Sequence, residues 1–492
     1  MRLRELLEER KADVTAAEIE IKGLSADSRR VEPGFLFAAL PGTRADGRTF
    51  IADALARGAA AILAPYDTEL PASIGRTPVI FDDNPRRRLA FMAARFYRRQ
   101  PKEIAAVTGT SGKTSVAHFT RQLWTLMGLR AGSLGTLGIV APGHDRDGAL
   151  TTPDPIELHR ILAELAQDGI DHLVMEASSH GIDQFRLDGV RLKAAAFTNL
   201  THEHLDYHGT MERYFRAKAR LFETLLPASG TAVLNADSDH FEPLAEICRR
   251  RGIAVIAYGA AGKELTLRSR VSEAEGQRLA LSVFGQPMEL LFPVAGAFQA
   301  HNALAALGLA IACGASPSRA AAELARVSGV RGRIELVARH PAGAPIFVDY
   351  SHKPEALKTI LTELRPLATG RLVVVFGCGG DRDRAKRPEM GRIAEELADQ
   401  VIVTDDNPRS EDPAAIRAEI LAACRRAREI GDRREAIRAA IAGLKADDLL
   451  VIAGKGHETG QIVAGVTYPF DDAEVARDAV AELGARPSGG AA

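Results

Sequence analysis

Seven consecutive residues, Gly109-Thr110-Ser111-Gly112-Lys113-Thr114-Ser115, have the types and spacing to hold the phosphates of a nucleotide. The apolar run Ile104 to Val107 enters this turn, and the helical pattern Val116-Ala117-His118-Phe119-Thr120 leaves it. That is strand, phosphate loop and helix. Glycines let backbone N–H groups close around phosphate oxygens, and the helix N-terminus adds partial positive charge. Lys113 brings a point charge, and the Thr114 hydroxyl can hold Mg2+. The expected ligand is a nucleoside triphosphate. A full Walker pattern has glycine where Val107 stands, so the segment is a shorter GT-x-GKT-S variant. A glycine turn that merely begins a helix has no need of the lysine and hydroxyls.

Other chemically capable residues also follow apolar runs. Leu173-Val174-Met175 delivers Glu176, and a carboxylate at a strand end beside a phosphate loop is a candidate Mg2+ ligand. Without the loop it would read as a solvated strand end. Ala194 to Phe197 leads into Thr198-Asn199-Leu200-Thr201-His202-Glu203-His204-Leu205-Asp206-Tyr207-His208. These histidines and acids lack HExxH spacing, so zinc is not expected, and one imidazole assisting Mg2+ is the simpler reading. Lys218 lies between apolar positions of the helix around Tyr214 to Phe222, where a lysine ordinarily snorkels to solvent. Asn302, early in a small-residue helix, fits a helix cap or an adenine contact. In the last third, Ile346 to Val348, Leu372 to Phe376, Val401 to Val403 and Leu449 to Ile452 each end in a polar loop. In an open parallel sheet that edge is the ligand site.

The elements that position these residues alternate strand and helix, which predicts an α/β fold built on mostly parallel sheets. At 492 residues, the chain calls for about three domains. They are expected as a small α/β domain over 1–98, a central phosphate-loop ATPase over 99–332, and a dinucleotide-fold-like domain over 333–492 that lacks GxGxxG. Lys plus Arg number 63 against 64 for Asp plus Glu, so charge gives no argument for nucleic acid or an anionic membrane. The four cysteines form no CxxC pair, as expected for reduced thiols in the cytoplasm. Met1 to Arg10 reads as a charged amphipathic helix without a signal-peptide core, and no membrane span is expected. The Gly/Ala/Pro/Ser tail after Gly484 reads as disordered.

Taken in order, GTSGKTS, EASSHG, HLDYHG, AKARLF, HNALAA, RGRIE, VDYSHKPEAL, GCGGDRD, DDNPR and AGKGHE resemble the Mur ligase family nearly end to end. Within it, Asp406-Asn407-Pro408-Arg409 marks the members that add meso-diaminopimelate to UDP-N-acetylmuramoyl-L-alanyl-D-glutamate in peptidoglycan synthesis. The resemblance implies an ATP- and Mg2+-dependent ligase, a monomer acting on small molecules. It implies that Lys218 is carbamylated and shares Mg2+ with Glu176, His204 and Thr114, and that Lys113, Lys218, Glu176 and His204 are catalytic. Ser28, Thr43, Arg44, Ala45, Thr151, Thr152, Ser178, Gln184 and Arg186 fall on contacts to the UDP substrate. Arg382, Asp406, Asn407, Pro408, Arg409, Gly454 and Glu458 fall on contacts to diaminopimelate. Asn302, Arg333, Asp349 and His352 fall on nucleotide positions. Two residues depart from the family pattern, Phe35 in place of the aspartate of PGDLF and Glu203 in place of an aspartate before HLDYHG. The alternatives are a lysine-adding sister, a folylpolyglutamate-synthase-like ligase and a non-catalytic ATP switch. The pentapeptide DDNPR also occurs at Asp82 to Arg86, where it is expected only to cap a helix.

Overall fold

The computed structural model describes residues 1–7, 18–42, 45–148, 150–273 and 276–485. The chain divides into two compact units. One comprises Met1–Leu267, Ser282–Gln286 and Asn302–Leu324, and the other Arg268–Leu281, Pro287–His301 and Ala325–Ala492.

In the first unit, four parallel strands, Gly23–Ser25, Phe35–Ala38, Ala61–Ala64 and Val79–Phe81, pair in chain order. Their side chains alternate between two cores. Leu36, Ala38, Ala61 and Leu63 pack with Leu3 and Leu6, while Phe37, Ala39, Ile62 and Ala64 pack with Ile51 and Ala54. The N-terminal helix is described over Leu3–Leu7; the rest of its expected span lies outside the described residues.

A larger sheet in the same unit has Glu103–Thr108 at its centre, between Ala194–Phe197 on one side and His172–Glu176 on the other. Thr231–Asn235 and Ala254–Gly259 follow on the first side, and Ala131–Gly135 and Gly138–Val140 on the second. All of these pair in parallel except the last. The strand order therefore reverses at the carboxyl end of Glu103–Thr108, where such a sheet opens a crevice for ligand. The helix Pro85–Tyr97 is tied to this sheet's domain through Asp188. That carboxylate is 1% exposed and accepts from Arg87 Nε at 3.0 Å and from Arg220 Nη2 at 2.7 and 2.9 Å.

The second unit is built on Glu335–Arg339, Pro345–Asp349, Leu449–Ala453, Leu372–Phe376, Gln400–Val403 and Arg428–Glu429, in that spatial order and parallel after the first. Leu372, Val374 and Phe376 face one core, and Val373 and Val375 the other, so the strand has no polar alternation. The four polar loops expected at one edge are all there, because the four strands that carry them run the same way. All four cysteines are buried, and burial raises the thiol pKa of each. No described helix is long and apolar enough to cross a membrane.

The pentapeptide at Asp82 to Arg86 behaves as expected: Asn84 accepts from Arg87 N at 3.0 Å, and Pro85 opens the helix. Its twin at Asp405 to Arg409 does not start a helix; Arg409 has φ +52, and the next helix, Pro413–Leu421, is capped by Asp412. Identical residues thus take different structures, because the second copy is pinned by neighbours described below.

Removing the Asp188 charge leaves Arg220, 16% exposed, without its carboxylate. Asp188→Asn is expected to weaken the first unit by about 2–4 kcal/mol, read as a lower urea midpoint in the fluorescence of Trp124, the only tryptophan and fully buried there. An unchanged midpoint would mean that the triad holds nothing together.

Candidate active site

The phosphate loop closes as its sequence requires. Gly109 at φ +145 and Gly112 at φ +89 occupy conformations that side chains rarely adopt. A Cβ at Gly109 would overlap Thr198 Oγ1, and one at Gly112 would overlap Asn302 Oδ1. The loop is braced from the neighbouring strand end. Ser111 N donates to Asn199 Oδ1 at 2.9 Å, Thr198 Oγ1 to Ser111 O at 2.7 Å, and Thr201 N to Thr110 Oγ1 at 2.9 Å. Ser115 is buried in the first turn of Lys113–Leu126. Asn302 is the sixth residue of Ala297–Ala312, so the capping reading fails; helical geometry instead carries its amide against the phosphate loop.

Lys218 also departs from the simple expectation. It does not snorkel: it is 1% exposed, its Nζ donates to Gly109 O at 2.7 Å, and it lies 4.6 Å from the Tyr214 ring centroid. The apolar stem follows the buried face of Met211–Arg220 and carries the amine to a carbonyl of the loop. Lys113 Nζ donates to the same carbonyl at 2.9 Å. Burial and then the Lys113 charge push the Lys218 pKa well below that of an ordinary lysine, so the amine favours its neutral form. Tyr214, pushed up to about 12 by burial, keeps its hydroxyl proton and meets Thr110 Oγ1 at 3.2 Å. His204, at φ +56, places its ring 6.1 Å from Tyr214 and 4.9 Å from His180.

Glu176 is 2% exposed and joins the loop to a polar group beyond it. Its Oε2 accepts from Thr114 Oγ1 at 3.2 Å and from Thr136 Oγ1 at 3.2 Å, while its Oε1 accepts from Thr136 N at 2.8 Å. Thr136 Oγ1 then meets Thr151 Oγ1 at 3.1 Å. Thr152 Oγ1 donates to Glu176 O at 2.9 Å and accepts from Ser178 N at 3.0 Å. Arg186 donates to Thr152 O and to Gln184 Oε1, both at 2.7 Å. Five residues read from sequence as substrate contacts are therefore one hydrogen-bonded group contiguous with the phosphate loop. Thr136 was missed, since a threonine in Gly135-Thr136-Leu137-Gly138 has no chemistry of its own. Gly135 was its one signal: a Cβ there would overlap Glu176 Oε1. Ser28 and Ala45 belong to the small domain, where Ser28 is buried; Thr43 and Arg44 lie outside the described residues.

The Thr114 hydroxyl and Glu176 carboxylate are hard oxygen donors and fit Mg2+. Among the described residues no group of three or more His, Cys, Asp or Glu is arranged to hold a metal.

In the second unit, Asp349 spends both oxygens on its own neighbourhood: Oδ2 accepts from Ile334 N at 2.8 Å, and Oδ1 from Ser351 N at 2.9 Å. Burial raises its pKa. Arg333 lies 4.6 Å over the Tyr350 ring. His352, drawn down to about 4 by burial, stays neutral and donates from Nδ1 to Tyr350 O at 2.8 Å. Across the same sheet edge, Asn407 Nδ2 donates to Glu458 Oε2 at 2.8 Å and Arg409 Nη1 to Gly380 O at 2.7 Å. Asp406 Oδ2 is buried with no hydrogen-bond partner among the described residues, 2.6 Å from where a Cβ on Gly454 would sit. Pro408 is buried and Arg382 exposed.

Compared with known proteins, residues 107–310 match the Mur ligase middle domain, 332–456 the Mur ligase glutamate ligase domain, and 20–97 the Mur ligase family catalytic domain. The chain is similar to the UDP-N-acetylmuramoyl-L-alanyl-D-glutamate–2,6-diaminopimelate ligase of Brucella melitensis, at 53% identity over 95% of this chain and 96% of that one. The ligase of the same name from Mesorhizobium japonicum is 51% identical over 99% of this chain and 100% of its own. A solved structure of such a ligase matches with a TM-score of 0.75 at 32% identity, over 98% of this chain and 99% of that one. Mycobacterium tuberculosis folylpolyglutamate synthase complexed with ADP shares the fold, with a TM-score of 0.61 at 21% identity, over 75% of this chain and 91% of that one.

Thr136→Val keeps the shape of the side chain and deletes the hydroxyl shared by Glu176 and Thr151. Loss of one charge-assisted hydrogen bond of about 1.5–3 kcal/mol predicts a 10- to 100-fold lower kcat with little change in the Michaelis constant for ATP. Wild-type turnover in a steady-state assay of phosphate release would remove Thr136 from the site.

Proposed function

The chain belongs to the Mur ligase family, and we propose from its site that it joins meso-2,6-diaminopimelate to the D-glutamate side-chain carboxylate of UDP-N-acetylmuramoyl-L-alanyl-D-glutamate. It is an ATP-dependent, ADP-forming acid–amino-acid ligase of peptidoglycan synthesis. The observation that carries the reading is the unbroken series Thr114, Glu176, Thr136 and Thr151, which puts an acceptor-carboxylate site beside the phosphate loop. We assign 1–98 to the UDP-sugar, 99–332 to ATP and the ligation chemistry, and 333–492 to the amino acid, in a cytoplasmic enzyme.

A carboxylate is a poor electrophile, so ATP first phosphorylates it, and Lys113 spreads charge off the transferring phosphoryl group. The product is an acyl phosphate. The amine of diaminopimelate attacks its carbonyl carbon, the C–O bond to phosphate breaks, inorganic phosphate leaves with the electron pair, and the new amide nitrogen releases a proton to solvent. Glu458 and Asp406 supply negative charge for the ammonium groups, while Arg409 and Arg382 supply donors for the carboxylates. Holding the reactants together replaces a bimolecular collision. Bound Mg2+ would neutralise charge on the phosphates, held by Thr114, Glu176 and carbamylated Lys218. The neutral Lys218 amine that burial favours is the form that adds to CO2, forming an N–C bond and losing a proton to give a carbamate. We assign His204, whose ring lies 6.1 Å from that of Tyr214, to the same Mg2+. We assign Asn302, beside the phosphate loop, to the nucleotide, and by the same family resemblance Arg333, Asp349 and His352.

A screen of amino acids for ligation to the UDP-dipeptide, with phosphate release followed with and without each substrate, tests the reading. Phosphate release that ignores the amino acid would make the protein an ATP switch, and preference for lysine would make it the sister ligase. Lys218→Ala is expected to be nearly inactive and partly restored by small carboxylic acids; a fully active variant excludes the carbamate. Arg409→Ala is expected to raise the Michaelis constant for diaminopimelate by a factor of ~10 to 1000 and to narrow its advantage over lysine. The twin change Arg86→Ala should alter neither, and the reverse pattern would place the amino acid in the wrong domain.

A further inference from the structure

Lys455 has no exposed side-chain surface, although it sits in a loop. Its ammonium donates to Asn407 Oδ1 and to Glu458 Oε2, each at 3.1 Å. Asn407 Oδ1 also accepts from Ile462 N at 2.9 Å. Both lone pairs of that oxygen are therefore taken, and the amide can present only its nitrogen to Glu458. Glu458 Oε2 in turn receives two donors, from Lys455 and Asn407. Its Oε1 has no hydrogen-bond partner among the described residues, and the Glu458 side chain is 33% exposed. A buried ammonium that cannot touch substrate has been placed where it commits one oxygen of a carboxylate and leaves the other free.

We propose that Lys455 is a positioning residue of the amino-acid site: it locks the Asn407 amide and one oxygen of Glu458, so that Glu458 Oε1 is held as the acceptor for the substrate's ammonium group. The proposal rests on the assignment of the Asp406 to Arg409 and Gly454 to Glu458 loops to the amino acid. A lysine is suited to the task because its three donors can serve an amide and a carboxylate at once. Its single charge balances Glu458 inside the protein without reaching the ligand. Without it, Glu458 is free to change rotamer, and the Asn407 oxygen loses one of its two donors. An amino acid would then have to order Glu458 on binding.

The test uses the full-length enzyme, with phosphate release measured at saturating ATP and UDP-dipeptide while diaminopimelate is varied. Lys455→Met, close in length and apolar, is expected to raise the Michaelis constant for diaminopimelate about 10- to 100-fold. The constants for ATP and the UDP-dipeptide, and kcat itself, should stay within about threefold. A fall in kcat with an unchanged constant for diaminopimelate, the mark of a residue that only supports the fold, would overturn the proposal. Lys455→Met/Glu458→Gln removes both charges together and keeps the test open if the single variant is unstable. Its Michaelis constant should stay within about threefold of that of Glu458→Gln alone, because Lys455 has no carboxylate left to orient and Ile462 N still holds the Asn407 oxygen. A further tenfold rise would count against the idea. If the wild-type enzyme itself releases phosphate without regard to diaminopimelate, the assignment of the loops fails, and that result is distinct from either variant outcome.

Discussion

Two lysine amines share one carbonyl oxygen, that of Gly109, at 2.7 and 2.9 Å. Burial and the neighbouring positive charge of Lys113 both disfavour the charged form of the more deeply buried amine, so its pKa falls well below that of an ordinary lysine. Much of the centre depends on this contact. Gly109 takes a backbone conformation that other residues avoid, and Thr198 fills the space where any other residue's side chain would begin. Thr198 in turn is held to Ser111 O, and Asn302 occupies the matching space beside Gly112. The loop is thus shaped before any ligand arrives, which spares the reaction the reorganisation that water would impose.

The second unit solves a related problem with charge kept inside. Arg387, fully buried, donates to Glu411, Glu419 and Gly379 O. Arg433, also buried, pairs with Asp472 and donates to Ala453 O at 3.0 Å. Lys455 makes a third. Each cation ties a strand-end loop to another element, so the loops after Phe376, Val403 and Ala453 are fixed relative to one another. Buried ion pairs add little net stability, because desolvation offsets most of their attraction. Their value here lies in geometry: a zwitterionic substrate needs donors and acceptors at set separations, and flexible loops would have to be ordered on binding.

What the sequence made legible was chemistry tied to residue type. The phosphate loop, Glu176 and the four polar loops of the last third could be read because glycine, lysine and strand-end acids carry their meaning in local order. Thr136 and Lys455 could not, since their roles come from neighbours 40 residues away or from an oxygen already filled by another donor. For Lys218 the helix pattern alone pointed to solvent, and only the tertiary packing shows a carbonyl 109 residues distant in sequence. The duplicated pentapeptide makes the same point. Asn84 caps a helix where nothing else competes for its side chain, whereas Asn407 is claimed by Lys455, Glu458 and Ile462, and the chain there cannot turn into a helix.

The burial of all four thiols has a practical consequence. Reactivity toward alkylating and oxidising reagents follows the thiolate and its access to solvent, and Cys248, Cys313, Cys378 and Cys424 have neither. Under native conditions the folded protein should therefore be silent to maleimides. A cysteine engineered at any exposed position becomes the sole point of attachment for a dye or spin label, without the prior removal of native cysteines that such work usually demands. Pairs of such positions, one in each compact unit, would let distances between the units be followed during turnover in an otherwise unaltered enzyme.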